Sequence, residues 1–182
     1  MSELRRLSWQ DRVSIAILSF FMLMAWTIEL YFILHHHDIR QRADLFALAY
    51  KLYGRGDEAY YGSGFTALPL ALETFNVFVT QVFNGLLVWA IVRRRFYRYP
   101  LQLGLSAYSA ALVLLYFWTA HVSGYAGMAD KSFWNFVIFV APNLPWLLGD
   151  LFLLHQAVIP VLRRFAGPVQ PRMEADTRLP AA

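Results

Sequence analysis

Residues 13–34 read VSIAILSFFMLMAWTIELYFIL, 22 consecutive residues with one charge among them, Glu29. An α-helix rises about 1.5 Å per residue, so this run crosses the roughly 30 Å hydrocarbon core of a bilayer in one pass. It is longer than the apolar core of a secretory signal, and no small-residue cleavage motif follows it. That predicts a retained helix. Three similar runs follow, at about Phe65–Val92, Leu101–Thr119 and Phe133–Leu162. The fold class expected is all-α, a polytopic membrane protein built as a four-transmembrane-helix bundle. The bundle domain should occupy residues 1–165, with helices at about 13–34, 65–92, 101–119 and 133–162 and an outer-side loop at 35–64. The stretch 166–182 is polar, rich in Pro, and expected to be a disordered cytoplasmic tail.

Composition supports this reading. Of 182 residues, 58% are hydrophobic and only 15% charged, too apolar for a soluble domain of this size. Aromatic residues make up 17%, a surplus suited to interface belts or an aromatic-lined pocket. The absence of Cys excludes disulfides, thiolate metal ligands and Cys nucleophiles. The net charge of +4 does not point to nucleic acid, because the Arg residues cluster beside apolar runs. Arg5, Arg6, Arg12, Arg93, Arg94, Arg95, Arg98, Arg163, Arg164, Arg172 and Arg178 fall on one side. Arg40, Arg42, Lys51, Arg55 and Lys131 fall on the other. The excess predicts that both termini are cytoplasmic. The protein is expected to be integral and multi-pass, in a bacterial inner membrane or the endoplasmic reticulum.

The outer-side loop contains Leu45, Leu48, Ala49 and Leu52 at helical spacing, closed by Gly54. This predicts a short amphipathic helix lying on the membrane or capping the bundle. Gly56, Asp57, Gly62 and Gly64 then make an irregular turn region. The run His35-His36-His37-Asp38 points its side chains in different directions and reads as an interfacial polar cap, not a metal site. No metal and no cofactor is expected.

The informative residues are polar groups inside the apolar runs. A carboxylate in a bilayer costs a few kcal/mol or more and marks an interior pocket. Glu29 lies a little over one turn from the outer end of the first helix. Glu73 lies about two turns into the second, counted from the same side. Antiparallel helices thus bring the two carboxyls to similar depth. If they face each other, both cannot ionise, and one keeps the proton that a general acid requires. A structural, proton-sharing pair is the alternative. Glu73, Asn76, Thr80 and Asn84 fall on one arc of the second helix, where Thr80 and Asn84 suffice as interhelical glue. In the fourth run, Asn143, Trp146 and Asp150 share a face beside Pro142 and Pro145. The prolines should bend the helix there. Asn143 offers a hydrogen bond and Trp146 a ring face for a cation; a plain Pro kink with a packed Trp is the alternative. Asp150 is either a third buried acid or an inner-side pocket residue.

Taken in order, Trp26-Thr27-Ile28-Glu29, Tyr53-Gly54-Arg55-Gly56-Asp57, Leu72-Glu73-Thr74 and Asn143-Leu144-Pro145-Trp146 resemble the emopamil-binding protein family, the EXPERA domain group. That group includes sterol Δ8–Δ7 isomerases and the sigma-2 receptor. The resemblance runs from about Leu18 to Pro160. It implies that an acid protonates a ring alkene and a base removes a neighbouring proton from the resulting carbocation. The catalytic positions implied are Glu29, Glu73, Asn143 and Trp146. Ala25, Trp26, Asn76, Thr80, Asp57 and Asp150 are the candidates for substrate binding. Sterol isomerases of the family place a His one turn before the first acid, where this chain has Ala25. The function expected is a cofactor-independent isomerase or cyclase-like enzyme acting on a sterol, terpenoid or other isoprenoid alkene. The alternative is a non-catalytic sterol- or lipid-binding protein of the sigma-2 type. A proton-coupled transporter is a thinner reading for four helices without a repeat. The partners expected are a hydrophobic small molecule and membrane lipid, with no nucleic acid; the resemblance implies a homodimer.

Overall fold

The computed structural model describes residues 7–61 and 66–165. The expected tail at 166–182, the turn glycines Gly62 and Gly64, and Arg5, Arg6, Arg172 and Arg178 lie outside them. Among the described residues the chain is helical throughout, without strands. Four helices are long and apolar enough to cross a membrane: α1 (Trp9–His35), α3 (Ala67–Val92), α4 (Arg98–Val122) and α5 (Phe133–Phe165). A short α2 (Leu45–Tyr53) follows α1, and a 3₁₀ turn (Glu58–Tyr61) leads towards α3. The chain is thus a multi-pass membrane protein with one extra helix in the long connection.

The observed ends run past the apolar runs because polar caps set them. α1 begins at Trp9, four residues before the run at Val13. Ser8 accepts from the Asp11 backbone N–H and the Asp11 side chain accepts from the Ser8 N–H, a capping box. Asp44 caps α2 and Ser132 caps α5 by accepting backbone N–H groups. α4 starts at Arg98, whose guanidinium donates to Asp11 and fastens α4 to the start of α1.

α2 packs by an unexpected face. The leucine stripe points outward, with Leu45 78% exposed, while Ala47 and Tyr50 are buried. Small Ala47 permits close approach, and the Tyr50 hydroxyl donates to the Ile28 carbonyl at 2.9 Å. The helix therefore caps the bundle and still presents an apolar surface outward. Beyond it, Gly56 lies against the α5 backbone: a Cβ there would sit 2.7 Å from the Phe139 nitrogen, so only glycine lets the loop seat. At the other level Gly149 makes room for Phe21, whose Cζ would lie 2.6 Å from an added Cβ.

The core has two parts. Phe32, Ile39, Tyr50, Tyr60, Tyr116 and Phe139 form an aromatic cluster at the α2 end. Leu18, Phe21, Leu87, Ile91 and Leu153 form an aliphatic one nearer Arg98. The polar residues of interest lie between them.

Candidate functional site

Two helices lose their regular winding at the same level. α1 makes a π turn at Ala25–Glu29 and α3 makes one at Asn76–Thr80, and the two turns touch. No Pro or Gly lies in either turn. π turns widen a helix by one residue and recur at functional sites. Here they deliver Glu29 and Asn76 to one another: the Asn76 amide donates to Glu29 Oε2 at 2.6 Å.

Glu73 lies one turn before Asn76 on α3 and lines the same two cavities as Glu29. The Tyr60 hydroxyl donates to Glu73 Oε1 at 2.6 Å. The chain of polar groups continues through Asn76, which accepts from the Gln81 amide at 2.8 Å, and Gln81, which accepts from Asn84 at 2.9 Å. Gln81 is buried and had no place in the sequence reading. In the π turn its backbone N–H reaches the Asn76 carbonyl five residues back, so Gln81 stacks over Asn76. A uniform 3.6-residue wheel puts it outside the polar arc, and only a five-residue spacing from Asn76 would have signalled it.

A second network lies alongside. Asn143 donates to the Tyr53 hydroxyl at 2.9 Å and to the Phe139 carbonyl at 2.8 Å. The Tyr53 hydroxyl meets the Tyr116 hydroxyl at 3.2 Å, and Tyr116 donates to Asp57. Asp57 also accepts from the Ala59 backbone N–H. Asn143 thus engages a tyrosine, not a carboxyl. It sits at the end of a 3₁₀ turn, Ala141–Asn143, which interrupts α5 where Pro142 and Pro145 lie. Burial pushes the Tyr53 and Tyr60 hydroxyls above the usual phenol range, with Glu73 adding to the shift. They stay protonated donors at neutral pH. These tyrosines come from the connection between α1 and α3; Tyr53 opens the Tyr53-Gly54-Arg55-Gly56-Asp57 motif, while Tyr60 had no sequence signal beyond the aromatic surplus.

Two cavities meet at this centre. One, of about 660 Å³, is walled by α1, α3, α4 and α5 and takes in Asn76, Thr80, Asn84 and Asp150. The other, of about 720 Å³, lies towards α2 and is lined by Met24, Ile28, Tyr50 and Pro142. Glu29, Glu73, Tyr60, Asn143 and Trp146 line both. No Lys, Arg or His lines either cavity among the described residues. Trp146 stacks on Phe21 with centroids 4.4 Å apart.

Three candidate positions fall elsewhere. Trp26 is 54% exposed and lines neither cavity, because the π turn that directs Glu29 inward leaves it on the outer face. Ala25 is completely buried and also lines neither. Asp57 borders a separate cavity on the α2 side of Tyr116 and reaches the centre only through the tyrosines. Among the described residues no group of three His, Asp or Glu side chains is placed to hold a metal ion. His35 contacts Asp38 at 3.5 Å.

The chain is 26% identical over 122 residues to a protein of Arabidopsis thaliana described as a probable 3-beta-hydroxysteroid-Delta(8),Delta(7)-isomerase. The alignment covers 66% of this chain and 53% of that protein, so the chain spans about half the length of the curated relative it matches. Residues 45–157, including Glu73, Asn143 and Trp146, match the sequence profile of EXPERA, the expanded EBP superfamily. With well over half of its length inside that match, the chain belongs to the EXPERA family.

Proposed function

We propose that the protein is a membrane isomerase that shifts or cyclises an alkene of a sterol or other isoprenoid by proton transfer across Glu29 and Glu73. The observation that carries this is the pair itself, two carboxyls that line both cavities, with no basic side chain lining either among the described residues. One carboxyl gives its proton to an alkene carbon, leaving a tertiary carbocation. The other carboxylate takes a proton from the adjacent carbon, and the double bond has moved. One proton enters and one leaves, so no oxidant or cofactor takes part. The proton then passes from the second carboxyl back to the first, which restores the starting state. Trp146 presents its ring to the cation, while Tyr60 and Asn76 hold the carboxyls in place. Asn143 acts through Tyr53 as a positioning residue. The relative's description as a 3-beta-hydroxysteroid isomerase supports a sterol-like substrate.

One residue favours a second reading, a non-catalytic lipid-binding protein. Ala25 stands where sterol isomerases of the family place a His, and it is sealed from the cavities. Incubation with Δ8-sterols and linear isoprenoids in deuterated water separates the two. Deuterium in a shifted or cyclised product, lost in Glu29→Gln and Glu73→Gln, supports the isomerase. Tight binding across the panel with no label in any product sinks it and leaves the binder.

A further inference from the structure

Asp150 is the one acid in the cavity that the proton-transfer scheme leaves idle. It is 4% exposed, lines the 660 Å³ cavity, and makes no hydrogen bond or ion pair with any described residue. A buried carboxyl kept only for packing would find a partner, as nearly all buried polar groups do. The Asn84 amide on the same cavity wall is otherwise engaged, donating to Gln81. Ser109 lines the same cavity from α4. Asp150 lies four residues beyond Trp146 on the regular part of α5, about 6 Å further along the axis towards the end that carries Arg163 and Arg164.

We infer that Asp150 anchors a hydroxyl group of the substrate, so that the molecule lies along α5 with its alcohol at Asp150 and its reacting alkene at the carboxyl pair. A hydroxyl suits this acceptor in either state: it donates to a carboxylate and accepts from a carboxylic acid. The inference rests on the isomerase reading for the far end of the molecule, but binding at Asp150 needs no turnover. It assigns an orientation. The hydroxyl points to the arginine-bearing end of the bundle, and its separation from the alkene is set by the spacing of Asp150 from Trp146 and the pair.

The test is equilibrium binding to the full chain in lipid nanodiscs, with a 3-hydroxy Δ8-sterol and its 3-deoxy counterpart as probes. The wild type should hold the alcohol about tenfold more tightly, the scale of one good buried hydrogen bond. Asp150→Leu should bind both probes alike, with the deoxy form held as in the wild type. Asp150→Asn, nearly isosteric, should keep part of the preference and guards against a folding defect in the leucine variant. Equal binding of the two probes by the wild type overturns the inference. So does an unchanged preference in Asp150→Leu, and so does failure of the wild type to bind either probe. Glu29→Gln should keep the alcohol preference while losing any deuterium label. A preference without label in the wild type would therefore sink the isomerase and leave the Asp150 site standing.

Discussion

Asp11 and Glu29 lie on the same helix, 18 residues apart, or about 27 Å along its axis, and keep opposite company. Asp11 meets Arg98, itself only 8% exposed, at the start of α4. Glu29 meets another acid, Glu73, with only amides and hydroxyls around the two. At the first site opposite charges leave water together and fasten two helices. At the second, like groups share a low-dielectric cavity that no cation lines among the described residues, an arrangement that adds no Coulombic attraction to the fold. The contrast assigns stability to one site and chemistry to the other, and each half of it can be broken separately.

The largest expected effect is on chemistry. Glu29→Gln or Glu73→Gln should lower the rate of deuterium incorporation about 1,000-fold, within the range of general acid–base catalysis. The unfolding midpoint should hold or rise, because one ionisable group inside the bundle is gone. A carboxyl pair that held the bundle together would show the reverse, a lower midpoint with label retained. The complementary change is Arg98→Met, which strands Asp11 and should destabilise the fold by about 3 kcal/mol. Adding Asp11→Leu should recover most of that loss, since both charges are then gone. Label per folded molecule should stay near the wild-type value in both. If the double variant is no more stable than Arg98→Met alone, the pair is not what the mutation breaks.

Smaller effects probe the groups that hold the acids. Tyr60→Phe removes one hydrogen bond to Glu73 and should slow labelling about tenfold. Gln81→Leu, two links from Glu29, should slow it only about threefold, since the Asn76–Glu29 contact survives. An effect of Gln81→Leu larger than that of Tyr60→Phe would mean that the π turn itself depends on Gln81.

These residues also mark where sequence reading stops. The four spans and the common depth of Glu29 and Glu73 are legible because long apolar runs and isolated charges are local signals. The shared arc of Glu73, Asn76, Thr80 and Asn84 survives too, as all four line one cavity. The two π turns are not legible. No Pro or Gly announces them, and tertiary packing selects them over the regular helix. With them go Gln81, which they bring inward, and Trp26, which they leave outside. The tyrosine network escapes for a different reason. Tyr53 and Tyr60 lie more than fifty residues before Tyr116 and meet it only once Gly56 lets the connection seat against α5. The leucine spacing of α2 announces an amphipathic helix but not which face meets the bundle; Ala47 and Tyr50 supply that face while the leucines point outward.

Asp57 offers the finest test, because it sits outside the spanning helices at the far end of that tyrosine network. Burial raises its carboxyl above the ordinary value of about 3.9, and neighbouring Glu58 adds to the shift. Hydrogen bonds from Tyr116 and the Ala59 N–H oppose it without cancelling it. A carboxyl raised in the fold binds its proton more tightly there than in the unfolded chain. Stability must then fall as pH rises from about 4 through the folded value, and level off above it. Asp57→Asn cannot ionise, so the difference in unfolding midpoint between variant and wild type should shift in favour of the variant over that window. The opposite slope would mean that the Tyr116 and Ala59 hydrogen bonds outweigh burial, making Asp57 an anchor of the Asp11 kind.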